Sequence, residues 1–104
     1  MDIKKGNLLI RDFMEVSPMV YGDWSIAVSI NNGLYHSDWN WLMLCVEKIE
    51  SQGLDVIINT TTCVINDVGE DRFDPFEGYS TNSKIDAVYY TVVKYINWYN
   101  ENNK

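Results

Sequence analysis

The stretch Tyr35 to Gly53, YHSDWNWLMLCVEKIESQG, constrains the fold more than any other part of the chain. Ser37 stands where an N-cap belongs, and Asp38 would put a carboxylate in the first turn, against the positive end of the helix dipole. Leu42, Cys45, Val46 and Ile49 then recur at the i, i+3, i+4, i+7 spacing of a helix with one apolar face. Glu47, Lys48, Glu50 and Ser51 fall on the solvent side, and Gly53 is placed as the C′ residue that closes the helix. Trp39 and Trp41 are two positions apart and so diverge by about 200° around a helix axis. One core face cannot hold both, and at least one must reach a rim or a partner.

The rest of the chain arranges itself around this helix. A first helix is expected from about Lys4 to Val16, with Leu8, Leu9, Phe13 and Val16 turned inward. Ser17-Pro18 ends it, because the residue before proline is forced out of the α region. From Met19 to Ile30 the alternation of Trp24, Ile26, Val28 and Ile30 with small or polar residues has the period of a half-buried strand, and Asn31-Asn32-Gly33 is a turn signal. Leu54 to Asn66 is rich in β-branched residues and reads as one strand with a bulge or as two strands turning near Asn59 to Thr62. Asp67 to Ser83 reads as a long irregular segment. A last helix runs from about Lys84 to Asn100, capped by Ser83 or Asn82, with Ile85, Val88, Tyr89, Val92, Ile96 and Tyr99 as its core stripe. The order α-β-α-β(β)-α implies an α+β fold: a small, mainly antiparallel sheet packed with helices.

At 104 residues the chain is expected to form a single domain, 1–104, with one modest core. Its 46% hydrophobic content supports folding over disorder. The net charge of −7 argues against direct binding to nucleic acid or to anionic membranes, both of which reward Lys and Arg. It suits a soluble surface, a basic protein partner or a mimic of nucleic-acid charge. Cys45 and Cys63 lie in separate apolar runs without a CxxC, as buried reduced thiols of a cytoplasmic protein would. The opening MDIKKGNLLIRDFM lacks the apolar core of a signal peptide, and no run is long enough to span a bilayer.

The chemistry-bearing residues are sparse. One histidine, His36, precedes the cap of the central helix, and one histidine with two scattered cysteines is too few soft ligands for structural zinc. Asp67, Glu70, Asp71, Asp74 and Glu77 gather in the acidic segment, without the D-x-[DN]-x-[DN]-G order of a calcium loop. Arg72 sits among them, placed to pair with a neighbour. The six glycines are isolated and read as turn residues, and no GxSxG, phosphate loop or GxGxxG is present. No catalytic residue, metal ligand or cofactor is therefore expected.

The aromatics carry the functional expectation. Trp24, Tyr35, Trp39 and Trp41 cluster at the entrance of the central helix, while Tyr89, Tyr90, Tyr95, Trp98 and Tyr99 crowd the last one. Such an excess favours a homo-oligomer or a pocket that stacks a planar ligand. The candidate ligand- or partner-binding residues are Trp24, Tyr35, His36, Asp38, Trp39 and Trp41.

Three segments also carry a resemblance. LLIRDFM (Leu8 to Met14), YHSDWNWLMLCVEKIES (Tyr35 to Ser51) and KIDAVYYTVVKYINWYNENN (Lys84 to Asn103) resemble small bacteriophage and prophage proteins of the phage ABA sandwich type. A glycine-tryptophan pair that often follows the first helix in such proteins is replaced here by Ser17-Pro18. The resemblance implies a phage accessory protein in the host cytoplasm that binds a host small molecule or a host protein. Counter-defence by sequestering a nucleotide signal is one such role. The alternative is an acidic DNA mimic that occupies a nucleic-acid-binding host protein through the Asp67 to Glu77 segment.

Overall fold

The computed structural model describes residues 3–14, 33–69 and 72–102. Within them lie α1 (Ile3–Met14), α2 (Trp39–Glu50), β1 (Leu54–Ile58), β2 (Thr62–Asp67), β3 (Phe76–Tyr79) and α3 (Lys84–Asn102). The α+β class stands: the described residues form three helices and a three-stranded antiparallel sheet. The strand expected over Met19 to Ile30 lies outside the described residues.

The β-branched run Leu54 to Asn66 resolves into two strands. Asn59 N–H donates to Thr62 O at 2.8 Å, which closes the turn without glycine or proline. The hairpin pairs Val56 with Ile65 and Ile58 with Cys63, and β3 then pairs Cys63 with Gly78 and Ile65 with Phe76. The sheet order is β1-β2-β3. With a side-chain period of two, Val56, Ile58, Cys63, Ile65, Phe76 and Gly78 share the face toward the helices.

β3 corrects the expectation of an irregular Asp67 to Ser83. It is four residues long and contains a glycine, so it carries almost no strand signal. The glycine is there because α3 crosses the strand closely. A Cβ on Gly78 would sit 2.0 Å from Thr91 Oγ1 and 2.7 Å from the Ala87 carbonyl oxygen. Thr91 is fully buried, and its single hydroxyl proton is shared between Ala87 O (2.7 Å) and Cys63 O (3.2 Å).

α3, more than α2, is the element around which the chain packs. It touches β2 and β3 on one side and α1 and α2 on the other. Its buried set is accordingly wider than one stripe: Ala87, Thr91, Val93 and Tyr95 join Val88, Tyr89, Val92 and Ile96. Ser83 caps it, with its hydroxyl accepting from Asp86 N at 3.2 Å. In α2 the expected stripe Leu42, Cys45, Val46 and Ile49 is buried. Removing Leu42 and Ile49 from water stabilises the fold by about 1.5–3 kcal/mol each. Lys48 does not face water as expected. Its ammonium donates to Phe13 O at the end of α1 and lies 4.7 Å from the centre of the Phe13 ring.

The face of α1 differs from the one expected. Gly6, Asn7, Ile10 and Phe13 are its buried residues, while Leu8 is 36% exposed. Gly6 is a helix residue and not a turn glycine. A Cβ there would lie 2.2 Å from Tyr89 Oη, so glycine lets α1 approach α3 closely enough for that hydroxyl to donate to Ile3 O at 3.1 Å. A mid-helix glycine costs about 1 kcal/mol against alanine, and the buried Tyr89 hydroxyl gains a partner in return.

Candidate functional site

The expected site at the entrance of α2 divides between core and surface. A turn at 34–37 leads into the helix, with Ser37 N–H and Asp38 N–H both donating to Leu34 O. Ser37 is held in that turn, so the N-cap is Asp38 and not Ser37. Asp38 has extended backbone angles, and its Oδ1 accepts from Asn40 N at 2.8 Å. Tyr35 and Trp41 are buried and meet edge to face, with ring centres 5.1 Å apart. Trp39 points the other way and is 38% exposed, as the divergence of the two tryptophans requires. Trp24 lies outside the described residues.

His36 is half-buried beside α1. Asn7 Nδ2 donates to Gly33 O at 3.0 Å and faces His36 Nδ1 at 2.9 Å. Since Asn7 offers both amide protons, Nδ1 is the acceptor, and the network assigns the histidine proton to Nε2 in a neutral ring. Burial pushes the His36 pKa down, and the Asp86 carboxylate partly opposes that. Asn7 Oδ1 finds no partner among the described residues. The ring also packs near Tyr89, with centres 6.4 Å apart. The entrance thus joins Tyr35, His36, Asp38 and Trp41 as helix cap and core packing, and leaves Trp39 at the surface.

A different concavity combines exposed aromatic surface with hydrogen-bonding groups. A cleft of about 510 Å³ is lined by Gln52, Arg72, Tyr95, Trp98, Tyr99 and Asn102. This volume is within the range of small-molecule sites. Three parts of the chain converge there: the turn closing α2, the loop before β3, and the last turns of α3. Gly53 makes the first of these possible with φ +85, one residue further from the helix end than a C′ position, since the C-cap is Ser51.

Arg72 is anchored at one side of the cleft. Asp67 ends β2 with its side chain only 1% exposed, and its Oδ2 accepts from Arg72 Nε at 2.8 Å and from Arg72 N at 2.9 Å. Gly69 N approaches Oδ1 at 3.3 Å. The arginine does pair with a neighbour, as its place in the acidic segment suggests, yet its side chain remains 41% exposed. Arg72 Nη2 also reaches Gln52 O at 3.4 Å.

The floor is aromatic. Trp98 stacks at a tilt on Phe73, with ring centres 4.7 Å apart, and lies 6.0 Å from Tyr95. Tyr99 meets Phe13 edge to face at 5.2 Å. Tyr95 Oη donates to Gln52 Oε1 at 2.5 Å. Burial pushes the Tyr95 pKa up to about 12, with Arg72 opposing, so the hydroxyl keeps its proton and its donor role. Asn102 Nδ2 donates to Trp98 O at 2.8 Å. Both carboxamides are thereby oriented: Gln52 Oε1 and Asn102 Nδ2 are engaged, and among the described residues the Gln52 NH2 and the Asn102 oxygen have no partner.

Sequence reasoning noted the crowding of Tyr95, Trp98 and Tyr99 and the isolation of Arg72 among acids, but did not connect them. Gln52 and Asn102 gave no signal at all. The two thiols are not nucleophiles at neutral pH: burial raises Cys45 to about 12 and Cys63 to about 11. Among the described residues, no group of three His, Cys, Asp or Glu side chains could hold a metal ion, and no helix is long and apolar enough to cross a membrane. Comparison with family models, curated proteins and solved structures finds no match to this chain.

Proposed function

We propose that the chain is a non-catalytic binding module that sequesters a small planar ligand. The observation that carries this reading is the cleft in which Trp98 and Tyr99 surface lies beside Arg72, Gln52 and Asn102. Ring faces supply stacking energy, and fixed amides supply orientation. The perturbed groups support binding over chemistry. His36 is engaged by Asn7, and Tyr95 and the thiols are held protonated by burial.

The resemblance to phage ABA sandwich proteins supplies the setting: an accessory protein in the host cytoplasm whose ligand is a host nucleotide signal. The exposed apolar side chains Ile57, Tyr79, Leu44 and Trp39 support self-association, which sedimentation would read directly as a mass above one chain. The alternative, an acidic mimic that blocks a host nucleic-acid-binding protein, draws on the net charge of −7 and exposed acids such as Asp74 and Glu77.

Thermal unfolding against a panel of cyclic and ADP-ribose nucleotides tests the sponge. A ligand at about a hundred times its Kd adds about 2.7 kcal/mol to stability. A flat response across the panel counts against sequestration. Salt-sensitive capture of a basic host protein favours the mimic.

A further inference from the structure

The charges around the cleft point to a narrower ligand class than the proposed function names. Among the described residues, Arg72 is the one charged side chain lining it. Its guanidinium is already neutralised by Asp67, which takes Nε and the Arg72 backbone N–H together. An ion pair of this kind presents little net positive potential, and the chain as a whole carries −7. A phosphate-rich ligand would lose hydration and, among the described lining residues, meet only a cation already paired with Asp67.

What the cleft does offer is directional and neutral. Trp98 and Tyr99 are half-buried and line it with ring surface. The Gln52 carboxamide is turned by Tyr95 so that its NH2 donates. The Asn102 carboxamide is turned by the Trp98 carbonyl so that its oxygen accepts. A donor and an acceptor beside ring faces match the edge of a flat heterocycle that carries both groups.

We propose that this cleft recognises the uncharged heterocyclic face of its ligand, a nucleobase or nucleoside, by stacking on Trp98 and Tyr99 with hydrogen bonds to Gln52 and Asn102, and that phosphate groups add nothing to affinity. The proposal rests on the reading of the protein as a small-ligand binder and specifies which part of the ligand is read.

Calorimetric titration of the full chain with adenosine, guanosine, cytidine and uridine, each beside its 5′-monophosphate and 3′,5′-cyclic monophosphate, tests it. At least one nucleoside should bind within about threefold of its phosphorylated forms, with an affinity that salt leaves unchanged. Asn102→Ala, a change at an exposed position, and Gln52→Ala should each weaken that binding by about tenfold, with circular dichroism confirming that both variants fold. Phosphorylated forms that bind about tenfold or more tightly than every nucleoside, and lose that advantage in salt, overturn the inference while the binding module stands. Nucleoside binding that both variants leave intact places the site elsewhere and also overturns it. No binding by any member of the series overturns the inference, while the sequestration reading falls only if the panel of cyclic and ADP-ribose nucleotides is silent as well.

Discussion

The turn that leads into α2 and the cleft beside the end of α3 both gather tryptophan, tyrosine and hydrogen-bonding side chains, and they spend them in opposite ways. At the entrance, Trp41 and Tyr35 face each other inside the core, Asp38 closes a helix end, and His36 takes an amide proton from α1. At the cleft, Trp98 and Tyr99 keep exposed surface, and the amides of Gln52 and Asn102 are turned by neighbours so that, among the described residues, one group of each is left over. Aromatic density alone therefore does not mark a binding surface. What separates the two regions is whether the aromatic and polar side chains are enclosed within the fold or held at its edge.

The largest test of that contrast is truncation of one tryptophan from each region. Trp41→Ala should cost about 3–5 kcal/mol in denaturant unfolding, the range for a fully buried aromatic. Trp98→Ala should cost about half as much, since only part of its surface is buried, and should abolish ligand binding. Equal stability losses would erase the distinction between core and cleft.

Asp67→Ala comes next. It removes a buried acceptor used by two backbone N–H groups and by Arg72, and a loss of about 2–3 kcal/mol is expected. Because Arg72 then loses its anchor, ligand affinity should fall with stability. An affinity that survives would mean that the arginine does not shape the cleft.

Asp38→Ala should lower stability by about 1 kcal/mol, the value of a helix cap, without changing affinity. The matching change Ser37→Ala should be close to silent, because Ser37 sits in the turn before the helix.

His36 gives a test by pH. Its pKa is lowered in the folded protein, so the unfolded chain binds the extra proton first, and stability should decline as pH falls below 6.5 toward the folded value. His36→Gln should flatten the curve in that window. A wild-type curve with no slope there would remove His36 from the buried network.

Much of the fold was legible because periodicity reports burial directly. The stripes of α2 and α3 and the β-branched run of the hairpin were readable for that reason. Other features depended on contacts between distant segments. β3 hides behind Gly78, a residue chosen for the crossing of α3 and not for strand propensity. The inner face of α1 turns on Gly6 and Asn7, whose reasons are Tyr89, Gly33 and His36. The shift of the cap from Ser37 to Asp38 follows from two backbone bonds to Leu34 that no local pattern announces. The cleft was the least legible, since Gln52, Arg72 and Asn102 are ordinary surface residues until the chain brings them together around Trp98.

The most direct measurement is the set of tryptophan indole N–H signals in a two-dimensional nitrogen–proton spectrum, assigned by single substitutions and followed during titration with the nucleoside series. The expected result is a progressive shift of the Trp98 signal while that of Trp39, exposed at the entrance of α2, stays in place. A shift of the Trp39 signal with Trp98 unmoved would contradict the account and return the binding surface to the entrance.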